Sequence, residues 1–129
     1  MKAILRKIRI SPEKANLVAA LVRNKKVIDA INILKFTPKA SARPLKKLIE
    51  SAVANAENNF KQQREDLIIK EILVTKGPTY KRGVSVSRGR VHPILKRTAH
   101  ITVKLENQKK ENDKTETEAK VTKKVKTTK

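Results

Sequence analysis

The sequence predicts an α+β domain, with three helices packed on a small three-stranded antiparallel sheet and a long protruding β-hairpin. Three observations support this prediction. Segments near both ends of the body alternate apolar and polar residues with the period of a β-strand. Between them lie three segments with apolar residues at helical spacing. A stretch of about twenty residues between the last two strands has too little apolar character for a core, which favours an extended functional segment.

The first predicted element is a strand in AILRKIRI, residues 3–10. Its alternation gives one apolar side, formed by Ile4, Ile8 and Ile10. The opposite side carries Leu5, Lys7 and Arg9, and we expect this basic side to face solvent or a ligand.

Two short helices are predicted next. In SPEKANLVAALVRN, Ser11 is suited to the cap position, Pro12 to the first helical position and Glu13 to the positive end of the helix dipole. This helix should end near Asn24, because asparagine tolerates the left-handed conformation. The second helix, VIDAINIL, has its apolar residues at i, i+3, i+4 and i+7: Val27, Ala30, Ile31 and Leu34.

The strongest helical periodicity lies in TPKASARPLKKLIESAVANAENNF. Thr37 is predicted to cap this helix, and regular helix is expected from Pro44, because an interior proline removes a hydrogen bond. Phe36 is expected in the core. The predicted core stripe consists of Leu45, Leu48, Ile49, Ala52, Val53, Ala56 and Phe60.

The last two predicted strands are LIIKEILVT and HITVKL, the latter with Ile101, Val103 and Leu105 facing inward. Between them, both legs of the chain are expected to leave the sheet as a hairpin over about residues 76–100. Eight to ten residues at about 3.3 Å each would reach roughly 30 Å. Gly83 and Gly89 are expected at its tip.

Composition divides the chain into one predicted domain, residues 1–105, and a predicted disordered, Lys-rich tail, residues 106–129. The tail has eight lysines, five acids and almost nothing apolar to bury. Residues 1–105 therefore carry +17 of the formal charge of +20. Such a charge favours a polyanionic partner, and nucleic acid is the first to consider.

Other partner classes find little support in the sequence. The longest apolar run, LVAALV, is far shorter than the roughly 20 residues of a membrane span, and we expect no membrane partner, signal peptide or transit peptide. The absence of cysteine excludes disulfides and thiolate metal sites and fits a reducing cytoplasm.

Catalytic chemistry is not expected either. His92 and His100 lie in a segment without any acid to orient them or to complete a metal site. Arg82 stands where a phosphate-binding loop would need its second glycine. We therefore predict no enzyme activity, no cofactor, no metal and no small-molecule substrate.

The segment GPTYKRGVSVSRGRVHPILKRTAHITVKL, residues 77–105, is the most informative part of the sequence. It holds every glycine, both histidines, seven Lys or Arg residues and no acid. Arginine suits forked phosphate contacts and stacking on bases. Aromatic residues are few, so we expect recognition by shape and backbone rather than on a stacking platform, and folded RNA is the favoured ligand.

Three blocks carry a resemblance to a known family: INILKFTPK (31–39), SAVANAENN (51–59) and GRVHPILKRTAHITV (89–103). Over residues 4–105 the chain resembles the L twenty-two family of large-subunit ribosomal proteins. The resemblance implies a body on the outer side of the large subunit, in cytoplasmic ribosomes, and a hairpin that runs through rRNA to line the peptide exit tunnel. Implied partners are large-subunit rRNA, neighbouring ribosomal proteins and the nascent peptide.

The resemblance also implies which residues bind rRNA. The hairpin end would comprise Lys81, Arg82, Arg88, Gly89 and Arg90. The returning leg would contribute Lys96, Arg97, Thr98 and His100, the outgoing leg Lys76, and the body Arg9, Ser11 and Lys14. The chain departs from the family pattern at the tip, where Ser85, Val86 and Val91 stand, and at Asn24.

The main alternative is a DNA-bending architectural protein with basic β-arms, which would require a homodimer interface. A helix-turn-helix regulator is a weaker alternative, because the first two predicted helices carry few side chains suited to base edges.

Overall fold

The computed structural model describes residues 1–107, so the predicted tail beyond Asn107 lies outside the described residues. Two single-turn 3-10 helices, Arg64–Asp66 and Ser87–Gly89, connect longer elements. The longer elements are, in chain order, β1 (Lys2–Ile8), α1 (Pro12–Val22), α2 (Val27–Phe36), α3 (Ala42–Phe60), β2 (Leu67–Lys76), β3 (Tyr80–Ser85), β4 (Val91–Lys96) and β5 (Ala99–Asn107).

The strands form two sheets. The body sheet has the order β1-β5-β2, and both neighbour pairs are antiparallel. The second sheet contains only β3 and β4, paired from Tyr80↔Lys96 to Ser85↔Val91. The predicted α+β class, with three helices, a three-stranded antiparallel sheet and a hairpin, is confirmed, and the five strands are divided into sheets of three and two.

The core lies between α3 and the body sheet. Leu45, Ile49 and Ala52 of α3 are fully buried, as are Ile101 and Val103 of β5. These residues show the predicted spacings, three or four along the helix and two along the strand, so each element presents one apolar side to the other. Helices α1 and α2 complete the core with alanines and valines.

The predicted inward side of β1 is wrong for its first half. Ala3 is buried and Leu5 half-buried, whereas Ile4 is 42% exposed. The register of β1 against β5 shifts between Leu5 and Ile8, and Lys7 adopts φ 55°. This bulge adds a residue and reverses the alternation, so that Ile8 packs against the core.

Helix α1 ends as predicted, with Asn24 at φ 59° just beyond it. The predicted cap of α3 is wrong, because Thr37 closes α2 instead: its Oγ1 donates a hydrogen bond to Ile33 O at 2.7 Å. Helix α3 begins at Ala42, which places Pro44 in the first turn. A proline is tolerated there because the first backbone N–H groups of a helix have no intrahelical partner.

Two predicted core residues are exposed instead. Phe36 is 80% exposed and Phe60 is 60% exposed, and each is the last residue of its helix. The helical stripe continues to Phe60, but the core does not extend that far.

Strand β5 continues two residues past the predicted domain boundary at 105. Glu106 and Asn107 pair with Ile68 and Leu67 of β2. The Asn107 side-chain amide also donates a hydrogen bond to Gln62 Oε1 at 2.9 Å. Residues 106 and 107 therefore belong to the body.

Candidate RNA interface

We call residues 77–98, which leave the body sheet and return to it, the arm. Every residue of β3 and β4 is exposed, and the arm carries no acid. The ion pairs found among residues 1–107 lie in the body and join Lys46 to Glu50, Lys70 to Glu106 and Lys104 to Glu71. The cations of the arm are therefore free to bind an external anion: Lys81, Arg82, Arg88, Arg90, Lys96 and Arg97.

The tip of the arm is a tight turn built from two left-handed residues. Arg88 has φ 61° and Gly89 has φ 70°, and Val86 N donates a hydrogen bond to Arg90 O at 2.7 Å. The left-handed conformation costs a non-glycine residue such as Arg88 about 1–2 kcal/mol. The structure thus places Arg88, Gly89 and Arg90 at the tip, as the resemblance implies. Lys81 and Arg82, expected with them at the hairpin end, lie instead near the base of the arm, paired with Leu95 and Ile94.

Gly83 was expected at the tip but lies within β3, opposite Pro93. A Cβ atom added there would lie 2.7 Å from Val91 Cγ1. The glycine therefore leaves room for the Val91 side chain on the neighbouring strand rather than forming the turn.

The base of the arm is closed by hydrogen bonds between its two legs. Gly77 N donates to Thr98 O at 2.9 Å, and Thr98 Oγ1 donates to Pro78 O at 2.6 Å. This junction interrupts the continuous ribbon that the sequence predicted. Because the Thr98 side chain is fully buried, the expected direct contact of this side chain with RNA is corrected to a structural role at the junction.

A cleft of about 630 Å³ opens where the arm meets the body. It contains six of the predicted rRNA-binding residues, from three separate parts of the chain. They are Arg9, Ser11, Lys14, Arg82, Lys96 and Arg97, and the lining also includes Glu13, Tyr80 and Leu95. The sequence alone predicts no ligand contact for Glu13, Tyr80 or Leu95.

Strand pairing explains how the cleft acquires its charge. Tyr80 and Lys96 are paired across β3 and β4, and Arg82 follows Tyr80 by two residues, so the three side chains share one face of the arm. Arg9 follows β1, and Ser11 occupies the cap position of α1 without a side-chain capping hydrogen bond. The start of α1, which belongs to the body, thus lines the cleft together with the basic face of the arm.

Two guanidinium groups of the cleft lie close to the Tyr80 ring. The Arg9 guanidinium carbon is 5.7 Å from the centroid of the Tyr80 ring, and that of Arg82 is 6.0 Å from it. Each contact has cation–π geometry and is worth about 0.5–1 kcal/mol at an exposed site. The ring therefore holds an arginine of the body and an arginine of the arm in a shared arrangement. A lone exposed tyrosine between basic residues was the available sequence signal.

Two further predicted residues lie near the base of the arm without lining the cleft. Lys76 is the last residue of β2 and pairs with Ala99. His100 is half-buried in β5, and its Nδ1 accepts a hydrogen bond from Lys7 N at 3.0 Å. His100 thereby holds the bulge of β1.

Two other kinds of site were sought in the part of the chain that the structure describes, a metal site and a membrane-spanning helix. Residues 1–107 contain no group of three or more His, Cys, Asp or Glu residues that could hold a metal ion. The same residues include no helix with the length and apolar character needed to cross a bilayer.

The fold and this surface define a class: a small, strongly basic structural protein whose arm and cleft suit a polyanion. The family described as Ribosomal protein L22p/L17e matches residues 3–106, and the chain belongs to this family. It is a structural constituent of the large ribosomal subunit and acts in translation within the ribosome. Membership implies rRNA and ribosomal proteins as partners and a structural rather than an enzymatic role.

Proposed function

We propose that the chain binds large-subunit rRNA through its arm and the cleft, and that the arm lines the nascent-peptide exit tunnel of cytoplasmic ribosomes. The observation that supports this best is the arm itself, an exposed two-stranded ribbon with six cations and no acid. Like charges on a thin ribbon repel one another unless an external polyanion neutralises them. Large-subunit rRNA is the polyanion with which the family assembles.

The positions of the cations support two contacts with the RNA. Arg88 and Arg90 lie at the tip, whereas Arg9, Lys96 and Arg97 lie at the base of the arm, where the cleft opens. Arginine forks can bind phosphate oxygens in pairs. In this proposal the base fixes the body on the rRNA, and the tip extends beyond it.

The exposed apolar side chains of the arm also indicate that a partner covers the arm. Val84, Val86, Val91, Ile94 and Leu95 are all substantially exposed in the free chain. They lie on both faces of the ribbon, since Val84 and Ile94 share one face and Val91 and Leu95 the other. Exposed apolar side chains gathered on one element often mark an interaction site. We infer that ribose and base faces cover these side chains along the arm, and that those nearest the tip face the tunnel and the nascent peptide.

The dimensions of the arm fit a narrow passage. Each six-residue strand extends about 20 Å at about 3.4 Å per residue, and paired strands lie about 4.8 Å apart. A ribbon of two strands is therefore slender enough to pass between packed RNA helices, which a helix bundle is not. The buried junction of Gly77 and Thr98 would hold the direction of the arm relative to the body.

Subunit reconstitution with a shortened arm tests this proposal. Residues 81–91 are replaced by a two-residue turn, and large subunits are assembled with this variant or with the intact chain and imaged. We expect the variant to fold and to enter the subunit, because the deletion removes no core residue and leaves Arg9, Lys14, Lys96 and Arg97 in place. The exit tunnel should be wider at one position of its wall.

Three results would contradict this account. Failure of the shortened chain to enter subunits, although its body is folded, would mean that the base of the arm does not anchor the protein. An unchanged tunnel wall would mean that the arm does not line the tunnel. A body that unfolds on removal of these residues would contradict the assignment of the arm as a separate element.

A further inference from the structure

The cleft contains two groups that simple phosphate binding does not require, Glu13 and Tyr80. A site that only neutralised phosphate would be served by cations alone. The lining also comes from distant parts of the chain, namely the segment that follows β1, the start of α1, strand β3, and the end of β4 with the residue after it. The cleft therefore suits a ligand that can use a carboxylate, an aromatic ring and several cations together.

Glu13 is an unusual residue for a polyanion site. Its carboxylate shares the cleft with five cations, yet it forms no ion pair with any of them in the described part of the chain. An ionised carboxylate only accepts hydrogen bonds, and it repels phosphate. Its presence therefore favours a ligand that brings a hydrogen-bond donor into the cleft beside its phosphate. In RNA, every ribose carries such a donor, the 2′-hydroxyl.

Tyr80 supplies a surface for a base. Unpaired bases of RNA stack on aromatic rings and on guanidinium planes. The cleft presents both, because the guanidinium groups of Arg9 and Arg82 lie within about 6 Å of the Tyr80 ring centroid. Its volume of about 630 Å³ falls in the range of roughly 300–1,000 Å³ that is usual for small-ligand sites.

We propose that the cleft holds one unpaired ribonucleotide of the bound RNA. Its base stacks at Tyr80, its phosphate lies against Lys96 and Arg97, and Glu13 accepts a hydrogen bond from its 2′-hydroxyl. This inference rests on the proposed rRNA binding and adds a ligand class and a role for two residues. Glu13 would make the cleft selective for RNA over DNA, which the cations alone would not.

The fluorescence of the protein gives a direct test of the stacking step. Tyr80 is the only tyrosine and the chain has no tryptophan, so the ultraviolet emission reports on this cleft alone. The full chain is titrated with single-stranded oligoadenylate and, as a control without bases, with inorganic polyphosphate. We expect oligoadenylate to quench Tyr80 emission and polyphosphate to bind without quenching.

Variants of Tyr80 separate stacking from charge. Tyr80→Leu should weaken oligoadenylate binding about 5- to 150-fold, since stacking of one base on an aromatic residue contributes on the order of 1–3 kcal/mol. Tyr80→Phe keeps the ring and should bind within about two-fold of the original chain. Both keep every cation of the cleft, so polyphosphate binding by Tyr80→Leu should change far less than its oligoadenylate binding. Equal binding of oligoadenylate by the Leu and Phe variants would overturn the proposal.

The role of Glu13 is tested by comparing RNA with DNA. We expect the original chain to prefer oligoadenylate over oligodeoxyadenylate by about 2- to 12-fold, which corresponds to the roughly 0.5–1.5 kcal/mol of a typical net hydrogen bond. Glu13→Ala should bind both more tightly and lose the preference. Glu57→Ala is the matched control, because it removes the same charge from an exposed position on α3 and should keep the preference.

The outcomes distinguish this inference from the proposed function. Salt-dependent binding to rRNA without quenching of Tyr80, or a Glu13→Ala variant that keeps the RNA preference, would overturn the nucleotide cleft and leave rRNA binding intact. Absence of any binding to rRNA would instead overturn the proposed function. Quenching together with loss of the preference in Glu13→Ala alone would support the inference.

Discussion

Gly77→Ala should destabilise the junction between body and arm through one identifiable contact. The backbone of Gly77 lies outside the left-handed region, so alanine is acceptable there on conformational grounds. The added Cβ would, however, lie 2.5 Å from Thr98 Oγ1, and Thr98 is fully buried and committed to Pro78 O. Overpacking of this kind typically costs about 1–3 kcal/mol. We expect a loss of unfolding free energy in this range.

A double-mutant cycle measured by urea unfolding and far-ultraviolet circular dichroism identifies the contact. Thr98→Ala removes the obstructing Oγ1, so the combined variant should lose less stability than the sum of the single variants, by about 1 kcal/mol or more. Gly89→Ala is the control. It should cost about 1–2 kcal/mol from its φ of 70° alone, with nothing within 4 Å to couple to Thr98. Additivity of Gly77→Ala and Thr98→Ala within about 0.5 kcal/mol would refute this account of the junction.

Three further predictions concern charge, core and boundary. Binding to naked large-subunit rRNA should fall with salt, with a slope of log affinity against log salt of about −4 to −5 if all six arm cations contact phosphate; a flat response would exclude electrostatic binding. Ile49→Asp should lower the free energy of unfolding in urea by about 4 kcal/mol or more, because it places an unpaired charge at a fully buried site. Asn55→Asp, on the exposed side of α3, is the control and should lower it by under about 1 kcal/mol. Removal of residues 108–129 should leave the unfolding midpoint unchanged. Truncation after Leu105 should lower the midpoint, because it also removes Glu106 and Asn107, which pair with β2. Equal midpoints for the two truncated chains would mean that these pairs contribute nothing to stability.

The elements that the sequence predicts well are those with uninterrupted periodicity. The stripe of α3 and the alternation of Ile101, Val103 and Leu105 each continue for several residues, and local spacing alone determines which side is buried. The arm was predictable for the opposite reason, since a basic segment without core residues has to leave the body. The family blocks strengthen both predictions.

The errors occur where a single residue changes the local geometry. The bulge at Lys7 reverses the alternation of β1, and its partner His100 is 93 residues away along the chain. The hydroxyl of Thr37 could serve the helix before it or the helix after it, and no local spacing decides between them. The exposure of Phe60 depends on where the core ends, which is a property of the assembled layers.

In the candidate site, too, the sequence identifies single residues but not how the fold brings them together. Individual cations such as Arg9 and Arg97 could be named from charge and resemblance, but their meeting in one cleft depends on how the arm leaves the sheet. Glu13 appeared only as a helix-dipole residue, because its neighbours in the cleft come from β3 and β4. Burial of Thr98 could not be predicted from a basic and polar stretch.

The most direct test of the central claim is a map of intact ribosomes that contain this chain. We expect the body on the outer side of the large subunit and the ribbon of β3 and β4 within rRNA, with Arg88 and Arg90 at the wall of the peptide exit tunnel. Phosphate groups should lie against the arm cations and against Arg9, Lys96 and Arg97. An arm that points into solvent, or a tip that lies away from the tunnel, would contradict the claim that the arm is the part of this protein that lines the tunnel.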